Sequence, residues 1–121
     1  MEPFADLAQL PLRQIWESVA VRTVDGDRLT FGIVELDPNA IVPEHHHDHE
    51  QLGMVLQGSV AFRVGEEERE LRPGGTWRIP SNVPHEVRVG PEGAVVVDVF
   101  APVRRDWGDV GEAPARAPLW P

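Results

Sequence analysis

The sequence predicts an all-β fold, a sandwich or barrel of short strands. Apolar runs of four to nine residues recur from residue 12 to residue 100, Gly, Pro and Asp punctuate them, and helical periodicity is almost absent. In chain order, strands are expected at VAVRTV (19–24), RLTFGIVEL (28–36), LGMVLQ (52–57), SVAFRV (59–64), TWRIP (76–80), HEVRV (85–89) and AVVVDVF (94–100). The stretches VDGDR (24–28), VGEEE (64–68), RPGG (72–75) and VGPEG (89–93) supply turn residues between them. A short helix is expected before residue 12. After Trp107 the chain turns Pro- and Ala-rich, so residues 1–107 are read as one domain and 108–121 as a tail. That tail is expected as a mobile end or an arm over a neighbour, and Leu119 and Trp120 favour the arm.

Composition narrows the function. A chain of 121 residues holds one core, and 41% hydrophobic with 26% charged residues is ordinary for a globular domain. The formal charge of −9 argues against nucleic acid and anionic membrane as partners, because both are bound through excess Lys and Arg. The first residues lack a basic segment followed by an apolar run, and no stretch reaches the roughly 20 apolar residues that span a bilayer, so a cytoplasmic protein is expected. There is no Cys, Lys or Tyr, and Ser18, Ser59 and Ser81 lie outside any nucleophile elbow. Proton transfer is left to His, Asp, Glu or a metal-bound water.

The stretch PEHHHDHEQ (43–51) concentrates side chains that are costly to desolvate. On an extended strand, His45, His47, His49 and Gln51 share one face, while His46, Asp48 and Glu50 share the other. Imidazoles two residues apart can reach one cation, and an amide oxygen can complete the set. A strand supplies only two or three ligands, so His85, after the turn IPSNVP, is the candidate from elsewhere.

These residues carry a resemblance. His45, His47 and Gln51, followed after six residues by Gly58, resemble the first cupin motif. Gly74 with Pro80, Asn82 and His85 resembles the second. Asn39 stands where the first motif opens on Gly, Asn82 where the second has Gly, Val89 where it has Asn, and Gln51 where the first has Glu. Asn tolerates positive φ, so the turn at 82 is expected to survive. The resemblance implies a cupin jelly-roll β-barrel whose mouth holds one divalent transition metal (Ni, Mn, Fe, Co, Cu or Zn) on His45, His47, Gln51 and His85. His49 is the alternative ligand. With Gln in place of Glu all four ligands are neutral, so the metal keeps its +2 charge and favours an anionic oxygen donor.

The last strand, AVVVDVF, is interrupted by Asp98, which shares parity with Val96 and Phe100. Asp98 either faces outward or pairs with an arginine, or is an acid or base on the inner face. Phe100 reads as core, and Arg104 or Arg105 could clamp a substrate carboxylate. With the first motif, the phrase DVFAPVR (98–104) makes residues 13–107 resemble the small monocupins of pectin and alginate breakdown, within the RmlC-like cupin superfamily. That resemblance implies opening of a 4,5-unsaturated uronate to its linear keto form. It further implies metal on the three His and Gln51, action of Asp98, Phe100 and Arg104 on a small anionic, uronate-like substrate, and a homodimer. A cupin dioxygenase, a polyketide cyclase and a non-catalytic metal- or ligand-binding cupin are the alternatives.

Overall fold

The computed structural model of the chain describes residues 2–121. Eight strands are β1 (Arg13–Trp16), β2 (Val19–Asp25), β3 (Thr30–Leu36), β4 (Ile41–His45), β5 (Glu50–Val64), β6 (Glu67–Leu71), β7 (Thr76–Ile79) and β8 (His85–Ala101). All the pairings are antiparallel. The helix expected before residue 12 is a single 3-10 turn, Leu7–Gln9, and one short helix, α1 (Arg105–Gly108), follows β8.

Two long strands organise the barrel. The first half of β5 and the second half of β8 pair with each other and with β7 and β3, and β2 and β1 extend that layer. The second half of β5 and the first half of β8 pair again and take β6 and β4 as outer neighbours. The strands pass from one layer to the other through register shifts at Val55–Gln57 and Gly58–Val60. A side chain at Gly58 would bring its Cβ within 2.0 Å of the Gly93 carbonyl oxygen, so only glycine allows the two strands to cross so closely there. Val21, Val34, Val55, Val60, Ile79 and Val96 fill the space between the layers, each at most 4% exposed.

Local expectations met tertiary corrections. The strands read at 52–57 and 59–64 are one strand, as are those at 85–89 and 94–100, because VGPEG bends β8 without ending its pairing. The turn read over 64–68 is confined to Gly65 and Glu66, and the charged run EEREL forms β6, an outer strand whose charges suit an unpaired edge. Strands β1 and β4 were not anticipated. RQIW is too short to show a period, and Pro43 disguises IVPEH.

The tail after Trp107 is an arm laid on the chain's own sheet. Ala113 N–H donates to the Leu12 carbonyl at 2.7 Å, and the Arg13 side chain donates to the Val110 carbonyl. Farther on, Arg116 lies 2.6 Å from Glu35 Oε1, and Leu119 N–H donates to Glu35 Oε2 at 2.9 Å. Glu35 is also paired with Arg22 at 3.0 Å, both side chains 2% exposed. A buried ion pair adds little net stability, but removing one partner strands the other charge. Glu35→Ala is therefore expected to lower unfolding free energy by about 3 kcal/mol in urea denaturation. It should also speed tryptic cleavage after Arg116.

Candidate metal centre and active site

The histidine stretch is not one strand. β4 ends at His45, residues 46–49 form a bend, and β5 begins at Glu50. The alternation of exposure nevertheless follows the expected parity: His46, Asp48 and Glu50 are exposed, while His45, His47 and His49 are half-buried. The turn that carries His85 is joined to this bend, because Asn82 N–H donates to the His47 carbonyl at 2.8 Å and Ser81 Oγ–H donates to Asp48 at 3.2 Å. Asn82 has φ of 63° and Asn39 has φ of 60°, so both hold the left-handed turns their glycine-like positions require.

His45, His47 and His85 converge, with one ring nitrogen from each within 4.8 Å of the others. In each ring the Nδ1 atom faces a backbone carbonyl: Pro43 at 2.8 Å, His49 at 2.9 Å and Val83 at 2.9 Å. A carbonyl only accepts, so each Nδ1 carries the proton and each Nε2 presents a lone pair. Burial pushes all three imidazoles below their usual pKa, His85 to about 4, which keeps them neutral near pH 7. His85 Nε2 is buried with no hydrogen-bond partner among the described residues.

Gln51 completes the arrangement. Its Nε2–H donates to Asp98 Oδ1 at 2.9 Å, so its Oε1 faces the imidazoles, 3.1 Å from His47 Nε2. Two acceptors at that distance need a proton or a cation between them, and the neutral imidazoles make the cation the better fit. Four neutral donors whose far sides are held by backbone carbonyls and a carboxylate suit a divalent metal. His49, the alternative ligand, lies outside the three-imidazole cluster. Its carbonyl orients His47, and its ring packs 6.4 Å from Phe100.

Asp98 is on the inner face and 6% exposed. Its Oδ1 accepts from both Gln51 and Trp77 Nε1–H, each at 2.9 Å, and burial pushes its carboxyl up to about 6. Among the described residues no arginine forms an ion pair with it, as the paired alternative required, and its burial removes the outward one. Trp77, Gly53 and Asp98 stand side by side in register on β7, β5 and β8. A Cβ at Gly53 would lie 2.3 Å from the Trp77 ring and 2.5 Å from Asp98 Oδ1, so the missing side chain is what lets indole meet carboxylate.

Phe100 is both core and cavity wall, 2% exposed and packed on Trp107 and His47. Arg104 enters the same cavity, and Arg105 is exposed. The Arg104 guanidinium lies over the Phe100 and Trp107 rings at 4.7 and 4.2 Å, and its Nε and Nη2 donate to Asp106. Its Nη1 edge is left for another acceptor. The cavity is lined by these groups and by Ile15, Trp16 and aliphatic core residues. Sequence reasoning missed Trp77, Trp107, Asp106 and Gly53. Asp106 and Trp107 lie beside Arg104 in sequence, whereas no local pattern links Trp77 to Asp98.

Gly53→Ala is expected to cost roughly 2 kcal/mol through overpacking. The Trp77 indole N–H should then exchange faster by NMR as it leaves Asp98.

Residues 32–100 match the family of cupin domains. The pectin degradation protein KdgF of Dickeya dadantii is 34% identical over 82 residues, covering 67% of this chain and 74% of that protein. Among solved structures, KdgF from Halomonas sp. superposes with a TM-score of 0.80 at 24% identity, covering 88% of this chain and 98% of that one. An RmlC-like cupin from Shewanella frigidimarina gives 0.81 at 24% identity, covering 88% and 96%. These two likenesses carry the fold, and the matched span 32–100 holds the three imidazoles, Gln51, Asp98 and Phe100. The chain belongs to the cupin family, and its likeness to KdgF extends over most of its length.

Proposed function

We propose that the protein is a metal-dependent enzyme of pectin- or alginate-type breakdown, converting a 4,5-unsaturated uronate to its linear keto form. The observation that carries this reading is the place of Asp98. A buried carboxylate is joined through Gln51 to three convergent imidazoles, in the cavity that also receives Arg104. A non-catalytic binding cupin has no need of that convergence. The 34% identity to a pectin degradation protein supports the choice of substrate.

The reaction is an isomerisation. The bond between C1 and the ring oxygen breaks as the C1 hydroxyl gives up its proton, and C4 gains a proton as the enol becomes a ketone. His45, His47, Gln51 and His85 would hold a divalent cation, which when bound supplies Lewis acidity toward an anionic oxygen. Asp98 takes and returns protons through Oδ2, since Oδ1 is occupied by Gln51 and Trp77. The free Nη1 edge of Arg104 meets the substrate carboxylate, while Asp106 and the two aromatic rings keep the guanidinium in place. The apolar walls exclude water from the ring-opened enol.

His85→Ala in protein purified without a tag should lower metal content, measured by elemental analysis, from about one ion per chain to near zero. Chelation of the wild type should have the same effect. Asp98→Asn keeps the shape of the side chain and its two donors. It is expected to slow turnover of unsaturated galacturonate, followed by loss of its ultraviolet absorbance, about 100-fold or more with metal retained. Unchanged turnover would remove Asp98 from the chemistry.

A further inference from the structure

We propose that Trp16 is a second aromatic wall of the site, against which the face of a sugar ring rests at the mouth of the cavity; this deepens the uronate reading and rests on it. Trp16 ends β1, lines the same cavity as the imidazoles, and lies with its ring centroid 5.1 Å from that of His45. Phe100 stands beside a different imidazole, 5.9 Å from His47. The two aromatic side chains therefore adjoin different members of the three-imidazole cluster.

Trp16 differs from the two tryptophans of the core. Trp77 and Trp107 are 7% and 8% exposed and belong to the core cluster, whereas Trp16 is 37% exposed and does not. An indole open to water at a cavity mouth loses the burial that stabilises the others, and a ligand with an apolar face restores it. It is nonetheless held in place. The Gln14 side-chain amide donates to the carbonyls of Trp16, Glu17 and Val19 at 2.5, 3.0 and 3.2 Å, fixing the turn on which the ring is mounted.

The chemistry of the wall selects the ligand. An indole face is the negative side of its quadrupole, and the C–H face of a pyranose is weakly positive and apolar, so the two surfaces match. A small acyclic acid satisfies Arg104 but offers no such face. The geometry therefore assigns Arg104 to the carboxylate and Trp16 to the ring, which makes Trp16 the residue that distinguishes a uronate from a simple carboxylic acid.

The test uses Trp16→Phe and Trp16→Ala in full-length, metal-loaded protein, with unsaturated galacturonate as substrate and D-galacturonate as a stable probe. Galacturonate should quench the intrinsic tryptophan fluorescence of the wild type, and Trp16→Phe should lose most of that quench while keeping KM within about threefold. Trp16→Ala should raise KM about tenfold with kcat within about twofold and metal content unchanged. An unchanged KM in Trp16→Ala overturns the inference and leaves the functional reading intact. So does a joint fall of kcat and metal content, which would make Trp16 a prop for His45. A wild type that neither turns over the unsaturated sugar nor is quenched by galacturonate overturns both.

Discussion

A buried carboxylate with two donors on one oxygen organises the mouth of this barrel. Asp98 Oδ1 accepts from Gln51 and Trp77, and this settles which way the Gln51 amide faces. Were the amide reversed, its oxygen would point at a carboxylate oxygen, and Asp98 Oδ1 would keep Trp77 as its one donor. The orientation that satisfies Asp98 is also the one that turns Oε1 toward the imidazoles. One hydrogen bond thus connects a residue suited to proton transfer with a residue suited to metal binding.

The backbone does the same for the three histidines. Each Nδ1 faces a carbonyl two residues away, so the tautomer of every ring is set by local chain geometry. The lone pairs left over converge, and burial keeps them uncharged. None of the three imidazoles or Gln51 carries a negative charge, and Arg104 brings a positive group into the same cavity. On a molecule with a formal charge of −9, this cavity sets the Arg104 guanidinium and three neutral imidazoles beside the buried Asp98 carboxyl.

Much of this was legible in the letters. The resemblance to the two cupin motifs named His45, His47, Gln51 and His85, and parity put Asp98 on one face with Val96 and Phe100 without deciding between the inner and outer face. Parity could not separate His49 from Gln51, because both share the face that a continuous strand would have made. The bend at residues 46–49 separates them: it turns the His49 carbonyl toward His47 and leaves its ring against Phe100. Trp77 was invisible for a different reason. Its bond to Asp98 crosses three strands and passes over a missing side chain at Gly53, and only the register of β7, β5 and β8 reveals it.

By itself the sequence determined the strand-rich class, because alternation and turn chemistry are properties of near neighbours, and it placed His45, His47, His49 and Gln51 on one alternating face. Tertiary structure decided which donors converge, which oxygen of Asp98 stays free, and that residues 108–121 lie on the chain's own sheet around Glu35. Those outcomes depend on where two long strands bend and how they register with partners far along the chain. No local pattern encodes that register, because it is set by the packing of the whole core.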